Sequence, residues 1–360
     1  MSFAKIVAGA FFRIVGAGGR AFDAIVVSLV PRPQVPKKRP YAVREVAVPG
    51  GADGVTLAGE LTMPEGGGPF PAVVMVTGSG PQDRNEEVAG HKPFLVLSDR
   101  LTRRGYAVLR CDDRGVGGSG GDFAAAATPD FAADAAAALA WVRGNPAIDA
   151  ERAGFVAHSM GGAVAAMAVP MERPDFMVLL AVPSQVLSAV VLRQQAEIGR
   201  ASGIDEAMLA IQVNQAARLM EILQSSETPG EAGERIRSFL GGEGAPEADI
   251  RANLDLWATP WGLSIVDFDP VSALCAYDGP VLALFGDKDL QVSATANAPG
   301  MTSTLVDAAS EVLILPGLNH LFQPSETGLP QDYWKIRTTI DEGAMNAIAD
   351  WLDRARATPE

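Results

Sequence analysis

A serine hydroxyl becomes a nucleophile when a histidine takes its proton and an acid orients that histidine. The stretch Gly154-Phe155-Val156-Ala157-His158-Ser159-Met160-Gly161-Gly162 runs an apolar segment directly into Ser159 and out into small residues. This is the layout of a nucleophile elbow, a strand-to-helix turn so tight that the positions two before and two after the serine must be small. They are Ala157 and Gly161, so alanine, the smallest residue with a Cβ, stands at the first position. The chain has three histidines. His158 adjoins Ser159 and should point away from it on the turn. His91 precedes a helical segment ahead of the serine, where a helix-start or local structural role fits. His320, in Pro316-Gly317-Leu318-Asn319-His320, follows the last expected strand, from which a loop can reach Ser159. The acid should lie between serine and histidine, after another strand. Gly286-Asp287-Lys288-Asp289-Leu290-Gln291-Val292 supplies two, and Asp289 is favoured because it lies one step deeper in the loop, before apolar anchors.

These residues need a scaffold. Tyr41–Val48 and Val55–Met63 read as an antiparallel pair around the turn Pro49–Gly54. Apolar strands then alternate with helices: Ala72–Val76, helix Lys92–Arg104, Tyr106–Cys111, helix Pro129–Arg143 with Thr128 as its N-cap, Arg152–Ala157, helix Gly161–Ala168 and Phe176–Ala181. Val281–Phe285, Glu311–Leu315 and a closing helix Asp341–Arg354 complete the series. Continuous apolar strands separated by helices imply an α/β class, a mostly parallel sheet with helices on both faces. Between Pro183 and Pro270 the rhythm stops for about 85 residues of helical pattern, too long for a crossover. Residues 184–270 therefore read as a helical cap inserted into a core of residues 41–183 and 271–360. The cap residues Trp257, Trp261 and Phe268 fit the wall of an acyl pocket or the core of the cap equally well.

Five segments stand in order: Gly78-Ser79-Gly80-Pro81-Gln82-Asp83-Arg84, Asp113-Arg114-Gly115-Val116-Gly117, the elbow, Gly286–Val292 and Asn319-His320. With them the chain from about Tyr41 to Arg354 resembles the α/β-hydrolase superfamily, and within it the bacterial serine esterases that carry a Gly-Ser-Gly-Pro-x-Asp-Arg segment after the third strand. Two positions depart from that pattern, Thr77 where many relatives have His before the glycine, and Ala157 in the elbow; neither removes a catalytic group. The order Ser159, Asp289, His320 is that of these hydrolases and not of chymotrypsin or subtilisin. The resemblance puts the oxyanion hole at the backbone N–H groups of Ser79 and Met160, the second at a helix N-terminus. Asp83 and Arg84 either pair to hold that loop or form a solvated charge pair. Cys111 and Cys275 read as inert packing.

The expected activity is cleavage of carboxylic esters with small to medium acyl chains through an acyl-enzyme. Thioester or small peptide and amide hydrolysis on the same triad is the first alternative. A non-catalytic binding or membrane-associated module is the second, since folds are reused without their chemistry. Gly115-Val116-Gly117-Gly118-Ser119-Gly120 matches a dinucleotide fingerprint only formally, because the helix does not open at the third glycine and residues 138–142 contain no acid. No Walker loop or His/Cys cluster calls for a nucleotide or metal, so no cofactor is expected.

Composition bounds the rest. The 360 residues carry 29 Lys+Arg against 43 Asp+Glu, a net charge of −14, with 48% hydrophobic and 20% charged residues. This is ample for a packed core and wrong in sign for a nucleic-acid binder. Two cysteines exclude a disulfide scaffold. Residues 1–40 hold seven basic residues and one acid, a charge of +6 that leaves −20 for the remainder. Within them Lys5, Arg13, Arg20 and Asp23 fall on one side of an ideal helix whose other faces are apolar or small, as in a helix docked on protein or lying in a membrane interface. Arg13 and Arg20 interrupt every run long enough to span a bilayer. Pro31–Pro40 reads as a stiff linker. The expectation is a cytoplasmic protein acting on a small acyl substrate, with residues 1–30 as a peripheral membrane or oligomer contact.

Overall fold

A computed structural model describes residues 35–52 and 54–357, the side chains of Arg356 and Ala357 excepted. The basic amphipathic arm expected over residues 1–30 lies outside the described residues. Eight strands form one sheet in the order β1-β2-β4-β3-β5-β6-β7-β8. β1 (Ala42–Pro49) and β2 (Thr56–Met63) are the antiparallel opening pair, and β2 also pairs antiparallel with β4 (Ala107–Cys111). The other pairings are parallel, joining β4, β3 (Phe70–Val76), β5 (Ile148–His158), β6 (Met177–Leu180), β7 (Val281–Gly286) and β8 (Glu311–Leu315). The central strands are buried along their length, which is why they read as unbroken apolar runs rather than alternating ones.

Helices cover both faces. α1 (Pro93–Arg103) lies on one face, where Leu97 and Leu101 share a core with Val73 and Met75 of β3. On the other face Ala72, Val74 and Val76 meet Leu139 of α2 (Thr128–Arg143) and Ala163 of α3 (Gly161–Ala168). The two-residue period of β3 thus feeds two separate cores. Thr128 does not cap α2. Ala127 is the cap, with its N–H donating to the Asp130 carboxylate at 2.8 Å, while the Thr128 hydroxyl and N–H engage Ser264 Oγ, each at 2.9 Å. The threonine expected to start the helix instead ties it to the segment before β7.

Between β6 and β7 come α4 (Leu187–Ala201), α5 (Glu206–Gln224), α6 (Pro229–Gly242), α7 (Glu247–Trp257), α8 (Pro260–Ile265) and α9 (Pro270–Leu274). The first four match the expected helical stretch, and the last two are short additions capped by Thr259 and Asp269. Their apolar faces do not form a separate core: Leu219, Ile236, Trp257 and Ile265 belong to the same hydrophobic cluster as Val74, Leu139 and Ala163. α10 (Ala294–Thr304) follows β7, and α11 (Glu342–Ala357) closes the chain, with Trp351 in the α1-side core. Among the described residues, no helix is long and apolar enough to cross a membrane.

Candidate active site

The sheet delivers three loops to one edge, because β5, β7 and β8 run parallel and end together. Ser159 follows the last residue of β5, Asp289 lies just beyond β7, and His320 lies beyond β8. In open α/β sheets this carboxyl edge is where ligands bind.

Ser159 has φ +52°, the left-handed conformation that a side chain adopts only when its surroundings enforce it. The enforcement is local. The Ser159 N–H donates to Leu180 O of β6 at 2.8 Å, and its carbonyl accepts Gly162 N–H at 3.0 Å. Gly161 is required by close approach: a Cβ there would stand 2.5 Å from both the Val76 and Thr77 carbonyl oxygens. Ala157, fully buried inside β5, pairs with Val76 and Leu179, so its methyl group is accommodated in the sheet.

The two acids differ in what they contact. Asp289 Oδ2 lies 2.8 Å from His320 Nδ1, and its other oxygen accepts the N–H groups of Gln291 (2.7 Å) and Val292 (2.9 Å). Both residues are buried. Asp287 is exposed and accepts Gly317 N–H at 2.6 Å, bracing the loop that carries His320. Asn319 holds the same loop from inside, its fully buried side chain accepting the N–H groups of Leu321 and Gln323. No hydrogen bond joins the Ser159 hydroxyl to His320; such contacts often tighten only when substrate is bound.

The glycine-rich loop after β3 lies against the elbow. A Cβ at Gly78 would stand 3.3 Å from Ser159 Cβ. Among the described residues, neither the Ser79 nor the Met160 N–H donates to a protein acceptor. Both residues line a cavity of about 80 Å³, together with Phe131, Val164, Trp261 and Asp113. Trp261 stacks on Trp257 with ring centroids 6.0 Å apart, but Trp257 is wholly buried and does not reach the cavity. Of the two tryptophans, Trp261 is the one that lines the cavity.

Asp83 and Arg84 do not pair with each other. Asp83 accepts the N–H groups of Asn85 and Glu87, each at 3.1 Å, while Arg84 grips the buried Asp112 from Nε (3.0 Å) and Nη2 (2.9 Å) and extends to Glu45. The loop is thus tied to the end of β4. Asp113 ties it a second time, accepting the Thr77 hydroxyl at 2.7 Å and the Gln82 N–H at 2.9 Å. Cys111 lines the cavity and burial pushes its thiol up to about 12, while Cys275 is exposed at the end of α9 and packs no core.

Burial pushes the Asp113 carboxyl up to about 7, against its two hydrogen bonds and with Glu86 and Asp134 adding repulsion. A carboxyl raised on folding favours the native state while protonated, and that contribution disappears as pH rises through its folded value. Asp113→Asn does not titrate. The wild type minus D113N stability difference is expected to fall by about 1–3 kcal/mol between pH 5 and pH 8, at ~1.4 kcal/mol per pH unit, measured by urea unfolding. A pH-independent difference would contradict the assignment.

Glu86 is the one group here that the sequence does not single out. Glu86 is buried, and its Oε1 accepts Gly78 N–H at 2.7 Å and lies 2.9 Å from His158 Nδ1. His158 Nε2 lies 3.0 Å from the His320 carbonyl oxygen. His158 does point away from Ser159, into this second pair. His91 bonds Thr339 Oγ1 and Tyr333 O away from the elbow, a structural role. Among the described residues, no group of three or more His, Cys, Asp or Glu side chains is gathered to hold a metal ion.

Residues 53–221 are similar to the X-Pro dipeptidyl-peptidase (S15) family. Over 300 residues the chain is 26% identical to esterase EstD of Thermotoga maritima, a match covering 82% of this chain and 65% of that esterase's length. Among solved structures, a hypothetical protein of Pseudomonas aeruginosa superposes with TM-score 0.54 at 19% identity, over 89% of this chain and 96% of the other. An esterase of Pyrococcus furiosus gives 0.52 at 15%, over 90% and 97%. The α/β hydrolase GrgF of Penicillium gives 0.53 at 17%, over 89% and 100%. The strand order, the elbow and these superpositions together give this chain the α/β-hydrolase fold.

Proposed function

We propose that this chain is a serine esterase that cleaves esters of short acyl chains through an acyl-enzyme. The observation that carries the reading is the buried Asp289–His320 contact of 2.8 Å at the same sheet edge as a serine strained at φ +52°. In this reading the Ser159 oxygen attacks the ester carbonyl carbon while its proton passes to His320 Nε2. Asp289 holds the Nδ1–H tautomer and stabilises the imidazolium that forms. The oxyanion accepts hydrogen bonds from the Ser79 and Met160 N–H groups, each of the kind worth about 3–4 kcal/mol in the transition state. His320 then gives its proton to the leaving alkoxide, and a water activated by the same nitrogen releases the acid. The acyl chain runs into the cavity beside Ser79 and Met160. The apolar wall of Phe131, Val164 and Trp261 favours an alkyl acyl chain, and acetyl to butyryl esters are the substrates to test first.

Likeness to the Thermotoga esterase supports the ester reading, and the likeness of residues 53–221 to a dipeptidyl-peptidase family supports a peptide reading on the same residues. Purified protein is expected to turn over p-nitrophenyl acetate and butyrate, to act poorly on the palmitate, and to take up a fluorophosphonate at Ser159, mapped by mass spectrometry. Absence of label at Ser159 sinks the serine-hydrolase reading. Faster turnover of Gly-Pro-p-nitroanilide than of any ester would shift it to the peptide.

A further inference from the structure

The pair behind the elbow carries an inference that rests on the reading of Ser159 and His320 above. Both ring nitrogens of His158 face acceptors: Nδ1 faces the Glu86 carboxylate at 2.9 Å and Nε2 faces the His320 carbonyl at 3.0 Å. A neutral imidazole has one proton, so one nitrogen lone pair would point at an oxygen. A proton on Glu86 Oε1 could be donated to Nδ1, leaving Nε2–H for the His320 carbonyl, so two protonation arrangements satisfy both contacts. In both, Glu86 Oε1 accepts Gly78 N–H at 2.7 Å, while its Oε2 is buried without a hydrogen-bond partner. The nearby carboxylates of Glu86 and Asp289 favour the one with an imidazolium against a carboxylate.

We propose that Glu86 and a doubly protonated His158 form a positioning pair that holds the oxyanion loop and the backbone of the catalytic histidine in one register. Glu86 reaches the loop through Gly78, one residue before Ser79, and His158 reaches His320 through its carbonyl. The oxyanion donor and the general base come from loops after β3 and β8, on different strands, and this buried bridge sets the distance between them. Charge-assisted bonds are shorter and stronger than neutral ones. The other titratable groups facing His158 are Asp289 and the His320 ring, whose centroid is 4.8 Å away. The carboxylates of Glu86 and Asp289, with the bond to the His320 carbonyl, hold the His158 imidazole above its ordinary value against the burial that opposes charge. Neither residue contacts the reacting atoms, so their contribution is to geometry.

The test has two readouts on the full chain. In wild type at pH 7.5, 15N–1H NMR of the histidine rings is expected to show both nitrogens of one ring protonated, and that signal is expected to vanish in Glu86→Gln. Glu86→Gln keeps an acceptor for Gly78 N–H but cannot balance an imidazolium. It is expected to lower kcat for p-nitrophenyl butyrate by about 10²-fold, the scale of a misplaced catalytic group, with KM changed less than about threefold and the melting temperature kept within a few degrees. A neutral His158 in wild type overturns the pair even if the variant fails to fold, and wild-type kcat in Glu86→Gln overturns the positioning role. If wild type has neither esterase activity nor label at Ser159, the hydrolase reading falls and this proposal with it. An active wild type with either contrary result removes this proposal alone.

Discussion

Ser159→Ala is expected to lower kcat for p-nitrophenyl butyrate by about 10⁶-fold, leaving the residual rate that oxyanion donors and binding supply. The size of the loss follows from chemistry with no substitute: without the oxygen no acyl-enzyme forms, and His320 has nothing to deprotonate but water. Stability should barely move. Alanine keeps the Cβ and therefore the same φ +52° strain, and the Ser159 hydroxyl makes no hydrogen bond to another described residue. Unfolding free energy within about 0.5 kcal/mol of wild type is expected from urea titration. A variant with near-wild-type turnover would place the nucleophile elsewhere, and a variant that unfolds would show that the elbow depends on the hydroxyl.

The second large effect separates two neighbouring acids. Asp289→Asn should lower kcat about 10⁴-fold, whereas Asp287→Asn should stay within about threefold. Asp289 Oδ1 is fixed by the N–H groups of Gln291 and Val292. An asparagine would keep its carbonyl there and turn its NH₂ toward His320 Nδ1. The imidazole would then have to accept at Nδ1 and carry its proton on Nε2, the tautomer that cannot take the serine proton. Asp287 accepts one bond from Gly317 on the surface, and an asparagine carbonyl can do the same. Steady-state kinetics of both variants with p-nitrophenyl butyrate decide. A large loss in Asp287→Asn with Asp289→Asn spared would reverse the assignment.

What could be read along the chain and what could not divide on physical lines. The buried parallel strands announce themselves because burial on both faces makes them continuous apolar runs, and Ser159 is legible because its turn demands small neighbours. The same holds for His320, singled out among three histidines by its place after the last strand. Glu86 was not legible. It is 72 residues from His158, with nothing periodic about its position, and its meaning appears only when the loop after β3 closes on the elbow. The Asp83–Arg84 expectation failed for a related reason: adjacent side chains diverge, and Arg84 found Asp112, 28 residues away. α10 was missed because Ala-Thr-Ala-Asn-Ala-Pro-Gly-Met-Thr-Ser-Thr reads as loop, with Pro299 inside it; Ala298 and Met301 are buried regardless, so packing overrides propensity there. Trp257 and Trp261 were indistinguishable in sequence because both belong to one stacked pair, and only depth tells which ring faces the cavity.

The helices between β6 and β7 share one hydrophobic cluster with the sheet. A lid hinged at its two connections would have to part α8, which carries Trp261 and Ile265, from α2, exposing apolar surface at about 25 cal/mol per Å². Each 100 Å² so exposed costs about 2.5 kcal/mol, a sizeable share of the roughly 5–15 kcal/mol by which a domain is stable. Substrate entry past Trp261 accordingly falls to side-chain rotation and loop breathing, motions far faster than domain opening.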